Sequence, residues 1–266
     1  MFRSSTFWQD KRVIITGASS GIGRALAEHV AVRGAKLGLL ARRAGPLAEL
    51  ANSIRSEGGK ADFATADVVD LEATLAAVEA LEEKLGPCDV LVASAGVYHK
   101  THAARFDPTT ANEVIATNVQ GVINAFGAVL PGMVQRRRGH LAALASIAGM
   151  LGLPAAGAYS ASKAAVITLL ESLRVDLDPI GVKVTAICPG HVDTPMLSDH
   201  ERATAKNVLS AEETARRIAR AVQRGWAEYW FPKLPWLTAK IASFLPSGLY
   251  RRTVSHFPEM EEPQPR

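Results

Sequence analysis

Cysteine is almost missing from these 266 residues: there are two, Cys88 and Cys188. No CxxC pair and no Cys/His cluster occurs, so nothing points to a metal. Two isolated thiols near the edges of apolar runs fit packing as small hydrophobes in a reducing compartment. Long apolar stretches are lacking as well. None reaches the ~20 residues of a membrane span, and Met1–Lys11, interrupted by Arg3 and Asp10, has no signal-peptide core. The expectation is a cytoplasmic chain. Charge of one sign is also scarce: 30 basic against 26 acidic residues leaves +4, too little to argue for a nucleic-acid partner. Of the arginine runs, Arg136–Arg138 reads as a solvated helix end whose cations complement the dipole. There is no long repeat and no low-complexity linker; only Glu259–Arg266 reads as disordered.

What is present is a globular composition, 48% apolar and 21% charged, on a chain long enough to bury a large core without staples. Short apolar runs alternate with amphipathic stretches. Strands are expected at 13–16, 36–41, 61–65, 89–93, 139–145, 182–187 and 229–231. Helices are expected at 21–33, after Pro46, from an Asp70 cap to Leu85, after a Thr110/Glu113 capping box, over 159–176, and from a Ser210/Glu213 capping box to Gly225. Apolar strands without alternation, separated by helices, imply a parallel sheet covered on both faces. The fold class is therefore α/β: a doubly wound, mostly parallel sheet of the Rossmann type, about seven strands, with its ligand site at the strand C-termini.

Thr16-Gly17-Ala18-Ser19-Ser20-Gly21-Ile22-Gly23 joins the first strand to the first helix. Glycines there let the backbone turn tightly and approach a pyrophosphate, while the helix N-terminus offers N–H donors. At the tip of the second strand, where an acid would hold ribose hydroxyls, stand Arg42 and Arg43. Guanidinium groups welcome a 2′-phosphate, so NADP(H) is expected over NAD(H). Further along, Tyr159 and Lys163 are spaced i, i+4 on one helix face. An ammonium near a phenol favours the phenolate and brings the phenol closer to useful proton transfer. Ser146, after the fifth strand, can donate to a carbonyl oxygen. Asn118 lies inside the long helix after the fourth strand.

In order and spacing, the Thr16–Gly23 loop, Asp67-Val68, Ala95-Gly96, Asn118, Ser146, Tyr159-xxx-Lys163 and Pro189-Gly190 resemble the short-chain dehydrogenase/reductase family from about Asp10 to Trp230. The resemblance implies a nicotinamide-dependent oxidoreductase with Asn118, Ser146, Tyr159 and Lys163 as its catalytic set. Tyr159 would be the acid in reduction, Lys163 would lower its pKa and bond the nicotinamide ribose, Ser146 would orient the substrate oxygen, and Asn118 would hold a water in a relay. Cofactor contacts would come from Gly17, Ser19, Ser20, Gly21, Ile22, Arg42, Asp67, Val68, Ser94, Ala95, Gly96, Tyr159, Lys163, Pro189, Gly190, Val192 and Thr194, with Asp67 receiving the adenine amino group. One departure stands out. The family's Asn-Asn-Ala-Gly is Ala93-Ser94-Ala95-Gly96 here, which removes both amides and leaves Ser94 a weaker contact.

The resulting expectation is NADPH-dependent reduction of a small-molecule carbonyl, or the reverse oxidation of an alcohol, by a homodimer or homotetramer. The competing expectation is a non-catalytic NADP(H)-binding protein on the same fold. A variable lid is expected over His191–Ser210, with His200, Glu201, Arg202 and Lys206 facing solvent. Met150, Leu151, Leu153, Pro154 and Met196 would form apolar pocket walls that suit a hydrophobic substrate, and the tail resembles those of lipid- or steroid-reducing members of the family, which implies a long-chain ketone as one such substrate. Residues 1–232 would be one catalytic domain. The extension 233–266, with Trp, Phe and Leu among Lys and Arg, would pack on the domain, on a partner or on a membrane surface.

Overall fold

The computed structural model describes residues 6–205 and 207–254. Seven strands form one sheet: β1 Arg12–Thr16, β2 Lys36–Ala41, β3 Lys60–Thr65, β4 Val90–Ala93, β5 Gly139–Leu144, β6 Val182–Pro189 and, last in the chain, β9 Glu228–Phe231. Between β6 and β9, the two-residue strands β7 Val192–Asp193 and β8 Leu209–Ser210 pair separately. The sheet order is β3-β2-β1-β4-β5-β6-β9, and all six pairings are parallel. Parallel strands carry helices on both faces, so the central strands bury both sides: β4 is buried throughout, and β6 in all but one residue. The expected architecture is the one observed.

Among the described residues the α-helices are α1 Gly21–Ala31, α2 Ala44–Ser56, α3 Leu71–Leu85, α4 Pro108–Ile115, α5 Gly121–Gln135, α6 Gly157–Leu177, α7 Asp199–Thr204 and α8 Ala211–Arg224, which lie between strands, and α9 Lys233–Ser243 and α10 Ser247–Val254, which follow the last strand. One apolar cluster packs α1, α2 and α8 on the sheet, with Leu26, Leu37, Leu50 and Ile218 at its centre. The other packs α3, α5 and α6, with Leu81, Leu91, Phe126 and Val166 buried. Strand order reverses between β1 and β4, each continuing to a different side of the sheet. Their C-terminal ends therefore open the crevice in which such folds bind ligands.

Several local expectations are corrected. Thr110 and Glu113 do not open α4. Asp107 is its N-cap, accepting from the Thr109 and Thr110 N–H groups, and Pro108 fills the first turn. An Asp-Pro start satisfies two orphan donors and presets φ, so Asp107 outcompetes the threonine three residues later. Asp70 and Ser210 cap as expected, accepting from Ala73 and Glu213, and Gly225 closes α8 at φ +63°. Glu213, however, turns to Arg216 and Arg217 and does not complete a capping box.

Arg136–Arg138 is more than a solvated helix end. Arg136 donates to the Cys88 carbonyl at 2.8 Å and Arg137 to the Pro179 carbonyl at 3.0 Å, while Arg138 stands 3.8 Å from Asp89. In sequence no apolar stretch is long enough to span a bilayer, but α4 and α5 join into a 28-residue run, Pro108–Gln135, that is long and apolar enough by composition. Half of its most apolar window is buried in the core, as a central helix of this layer would be. Both cysteines are buried free thiols. Glu259–Arg266 lie outside the described residues.

Candidate active site

The loop after β1 is built by steric demand. Gly17 has φ +68°, and a Cβ there would stand 2.7 Å from the Ala95 Cα; a Cβ on Gly23 would stand 2.5 Å from the Gly17 carbonyl oxygen. Only glycines let the loops after β1 and β4 approach this closely. Gly21 has φ +54° and opens α1, where Thr194 covers it: a Cβ would lie 3.2 Å from Thr194 Cγ2. Ser20 is the N-cap residue of α1, yet its side chain makes no cap bond. It is turned instead toward Arg43, whose Nη2 donates to Ser19 Oγ and Ser20 Oγ, both at 3.1 Å. First-turn N–H groups with a guanidinium beside them suit a phosphate-bearing ligand. The chemistry of this cradle fits a dinucleotide, whose pyrophosphate Gly17, Ser19, Ser20, Gly21 and Ile22 could hold.

Arg42, the cation singled out in the sequence, pairs with Asp67 at 3.6 Å, and both side chains are exposed. Asp67 also accepts from the Val69 N–H at 3.1 Å. Val68 is buried against Gly121, where a Cβ would stand 2.5 Å from Val68 Cγ2. Arg42, Arg43 and Asp67 therefore line one edge of the crevice. Arg43 was visible in sequence only as half of an arginine pair; its contact with the serines required the fold.

The segment Ala93-Ser94-Ala95-Gly96, which lacks both amides, is anchored to the first strand. Thr16 Oγ1 accepts from the Ser94 and Ala95 N–H groups, both at 3.1 Å, and so joins β1 to the loop after β4 across the reversal point. Asn118 then fixes the next residue. Its Oδ1 accepts from the Val97 N–H and its Nδ2 donates to the Val97 carbonyl and to Ser162 Oγ. Asn118 is fully buried. It lies in a π-helical turn, Ala116–Gln120, between α4 and α5, the kind of bulge that often marks functional positions. A Cβ on Gly96 would stand 3.1 Å from Asn118 Oδ1 and 3.6 Å from Lys163 Nζ, so these three residues converge.

Ser146 caps the short turn Ile147–Met150 after β5, accepting from the Ala148 N–H at 3.1 Å and donating to the Pro189 carbonyl at 3.4 Å. It stands near enough to the Tyr159 phenol to offset part of the effect of burial on it. Tyr159 and Lys163 sit in the first two turns of α6. Lys163 Nζ lies 5.6 Å from the Tyr159 ring centroid and donates to the Leu144 carbonyl at 2.8 Å. Burial lowers the ammonium to about 8.

Burial holds Tyr159 above its ordinary value, and nearby Ser146 only partly offsets this. Lys163 stands over the Tyr159 ring, and one of its three N–H groups donates to the Leu144 carbonyl.

Three residues of this cluster escaped the sequence reading. Ser162, fully buried, donates to the Tyr159 carbonyl at 2.7 Å and links that helix to Asn118. Tyr98 packs edge-on against Tyr159 at 5.1 Å between centroids. Thr101 accepts from the Ala158 N–H at 3.4 Å near the start of α6. Nothing in their spacing distinguishes them from ordinary loop and helix residues.

On the far side, Gly190 donates its N–H to the Phe231 carbonyl at 2.8 Å. Val192 is buried, and Thr194 donates to its carbonyl at 3.4 Å. In the lid, His200 is exposed, as is His191. Arg202 is exposed, as expected, and its guanidinium also meets Asp193 at 2.8 Å, Asp199 at 2.9 Å and the Thr194 carbonyl at 3.2 Å, because two carboxylates and a carbonyl lie within its reach. Lys206 and the Glu201 side chain lie outside the described residues. Of the expected pocket walls, Met150, Leu151, Leu153 and Pro154 are partly buried, and Met196 is exposed at the rim.

Comparison with known proteins agrees with this geometry. The short chain dehydrogenase family model matches residues 11–205. An uncharacterized oxidoreductase of Myxococcus xanthus is 37% identical over 240 residues, covering 90% of this chain and 94% of its own. One from Staphylococcus saprophyticus is 36% identical, covering 81% and 92%. Among solved structures, a 3-oxoacyl-[acyl-carrier protein] reductase from Brucella melitensis with bound NAD superposes at a TM-score of 0.77 with 27% identity, covering 86% of this chain and 91% of its own. The chain belongs to the short-chain dehydrogenase/reductase family. It is an oxidoreductase of that family, whose members use NAD(P)(H), act on small molecules and are commonly oligomeric.

Proposed function

We propose that this chain reduces a carbonyl group with NADPH, on a hydrophobic substrate, as a homodimer or homotetramer. One observation carries the reading: Ser146, Tyr159 and Lys163 are grouped together, with the serine near the phenol and Lys163 Nζ 5.6 Å from the centroid of its ring. A carbonyl oxygen received between the phenol and the serine would gain two hydrogen bonds, which strengthen as negative charge develops on it. When bound, the dinucleotide supplies a hydride to the carbonyl carbon. Tyr159 gives its proton to the oxygen, and the product is the alcohol. A phenol held above its ordinary value keeps that proton at neutral pH, as the acid in reduction requires. Lys163, already near 8, is poised to return a proton toward Tyr159. Asn118 holds the neighbouring loop in place beside both.

The cofactor preference rests on Arg42 and Arg43. Two guanidinium groups with Ser19 and Ser20 make a donor-rich edge that favours a 2′-phosphate. Met150, Leu151, Leu153 and Pro154 supply apolar walls. The test is Tyr159→Phe, assayed by NADPH oxidation against ketones of graded chain length. The expected loss is roughly a thousandfold in kcat with NADPH affinity unchanged; full activity in the variant would sink the mechanism.

A further inference from the structure

The reductase reading makes no use of the outer side of α9. This helix is apolar on two opposite sides. Its inner side, with Trp236, Ala239, Ala242 and Leu245 partly buried, packs over the Ile147–Met150 turn beside the site. In α10, Tyr250 donates to the Gly152 carbonyl and ties the tail to the same rim. The outer side carries Leu234, Leu237, Ile241 and Phe244, which are 67%, 47%, 57% and 78% exposed. Their spacing of three, four and three residues forms one helical stripe. Leu249, on α10, is 50% exposed.

Contiguous exposed apolar surface of this kind marks an interaction site. Charge decides what the partner is. From Tyr229 to Val254 the chain carries Lys233, Lys240, Arg251 and Arg252 and no acid, and all four cations are exposed. We infer that this face docks on an anionic lipid bilayer, with the apolar stripe entering the interface and the cations meeting the headgroups. A symmetric contact with a second copy would instead bring four cations onto four cations, with no acid in the segment to offset them.

The position of the stripe gives the docking a purpose. Strand β9 runs straight into α9, and Pro232 abuts Gly190, where a Cβ would stand 3.1 Å from Pro232 Cδ. A bilayer under α9 therefore lies at the mouth of the site, and the carbonyl compound that reaches Tyr159 is one dissolved in lipid. That last step rests on the proposed reductase activity; the docking does not.

The test is flotation of the full chain with phosphatidylcholine vesicles, with and without phosphatidylglycerol, and needs no turnover. Binding is expected to be roughly tenfold tighter to the anionic vesicles and to weaken as salt is raised. Ile241→Glu combined with Phe244→Glu should abolish it without altering the thermal unfolding midpoint. Lys240→Glu combined with Arg251→Glu should lower it by roughly fivefold or more per cation. Failure of the wild type to float with anionic vesicles would overturn the inference. So would sedimentation showing that the Ile241/Phe244 pair converts an oligomer to a monomer while vesicle binding persists, which would assign the stripe to a second copy.

Discussion

Asn118 grips Val97 from both sides, accepting its N–H at 2.8 Å and donating to its carbonyl at 3.0 Å. The same amide nitrogen donates to Ser162 Oγ at 3.0 Å, and Ser162 in turn donates to the Tyr159 carbonyl. One buried side chain thus ties the loop after β4 to the helix that carries the phenol. Asn118→Leu leaves several buried polar groups unsatisfied and should destabilise the fold by on the order of 3 kcal/mol. Denaturant midpoints measure this, and NADPH turnover should fall with them. A variant as stable as the wild type would show that the clamp is dispensable.

The arginine edge makes a cofactor prediction. Arg43→Ala should raise the KM for NADPH roughly tenfold by removing a charge-assisted contact beside Ser19 and Ser20. The KM for NADH should change little. Arg42→Asp should shift preference the same way and also break the pair with Asp67. Equal effects on both cofactors would count against the assignment.

Lys163 gives a pH prediction. Its folded-state pKa is lowered to about 8 from 10.5. The unfolded chain therefore binds more protons between those values, and stability from this residue rises as pH goes from 8 to 10.5. Compared with Lys163→Met, the wild type should gain up to roughly 3 kcal/mol across that window. Parallel unfolding curves at the two pH values would refute this. Activity should be lost in the variant at every pH.

His140 works at the acid end. On β5 it is buried, bonded through Nε2 to Thr185 Oγ1 at 2.8 Å, and burial lowers it to about 4. Thr185 donates its own proton to the Trp226 carbonyl at 2.6 Å, so the histidine must be the donor in their shared bond. Protonation in the unfolded chain begins near 6.5, and stability from His140 is lost as pH falls from 6.5 toward 4. His140→Gln, which keeps a donor for Thr185, should remove up to roughly 3 kcal/mol of that acid sensitivity. Unfolding midpoints at pH 7 and 4.5 would measure it.

The sheet was legible because its strands are short apolar runs with no alternation, a pattern that double-sided burial forces on Val13–Thr16 and Leu91–Ala93 alike. The glycine loop and the Tyr159/Lys163 pair were legible because local spacing is itself the signal. What stayed hidden depends on contacts between distant segments. Arg43 reaches the serines only because β2 lies beside β1, and Thr16 meets Ser94 and Ala95 only because β4 lies on its other side. The raised Tyr159 phenol was hidden for a related reason: its burial depends on packing by residues such as Tyr98, which the i, i+4 spacing does not report. The Thr110 expectation failed locally, where Asp107-Pro108 offered a better helix start.

The π turn at Ala116–Gln120 makes the site sensitive to length as well as to side chains. It gives the helical run an extra residue exactly where Asn118 must face inward, and each residue of an α-helix turns by roughly 100°. Deleting one residue from this turn would let α4 and α5 merge into a regular helix and rotate one segment against the other. Val97 would then lose its clamp although every residue of the catalytic set was still present. Along this helix the sequence can vary more freely than the count.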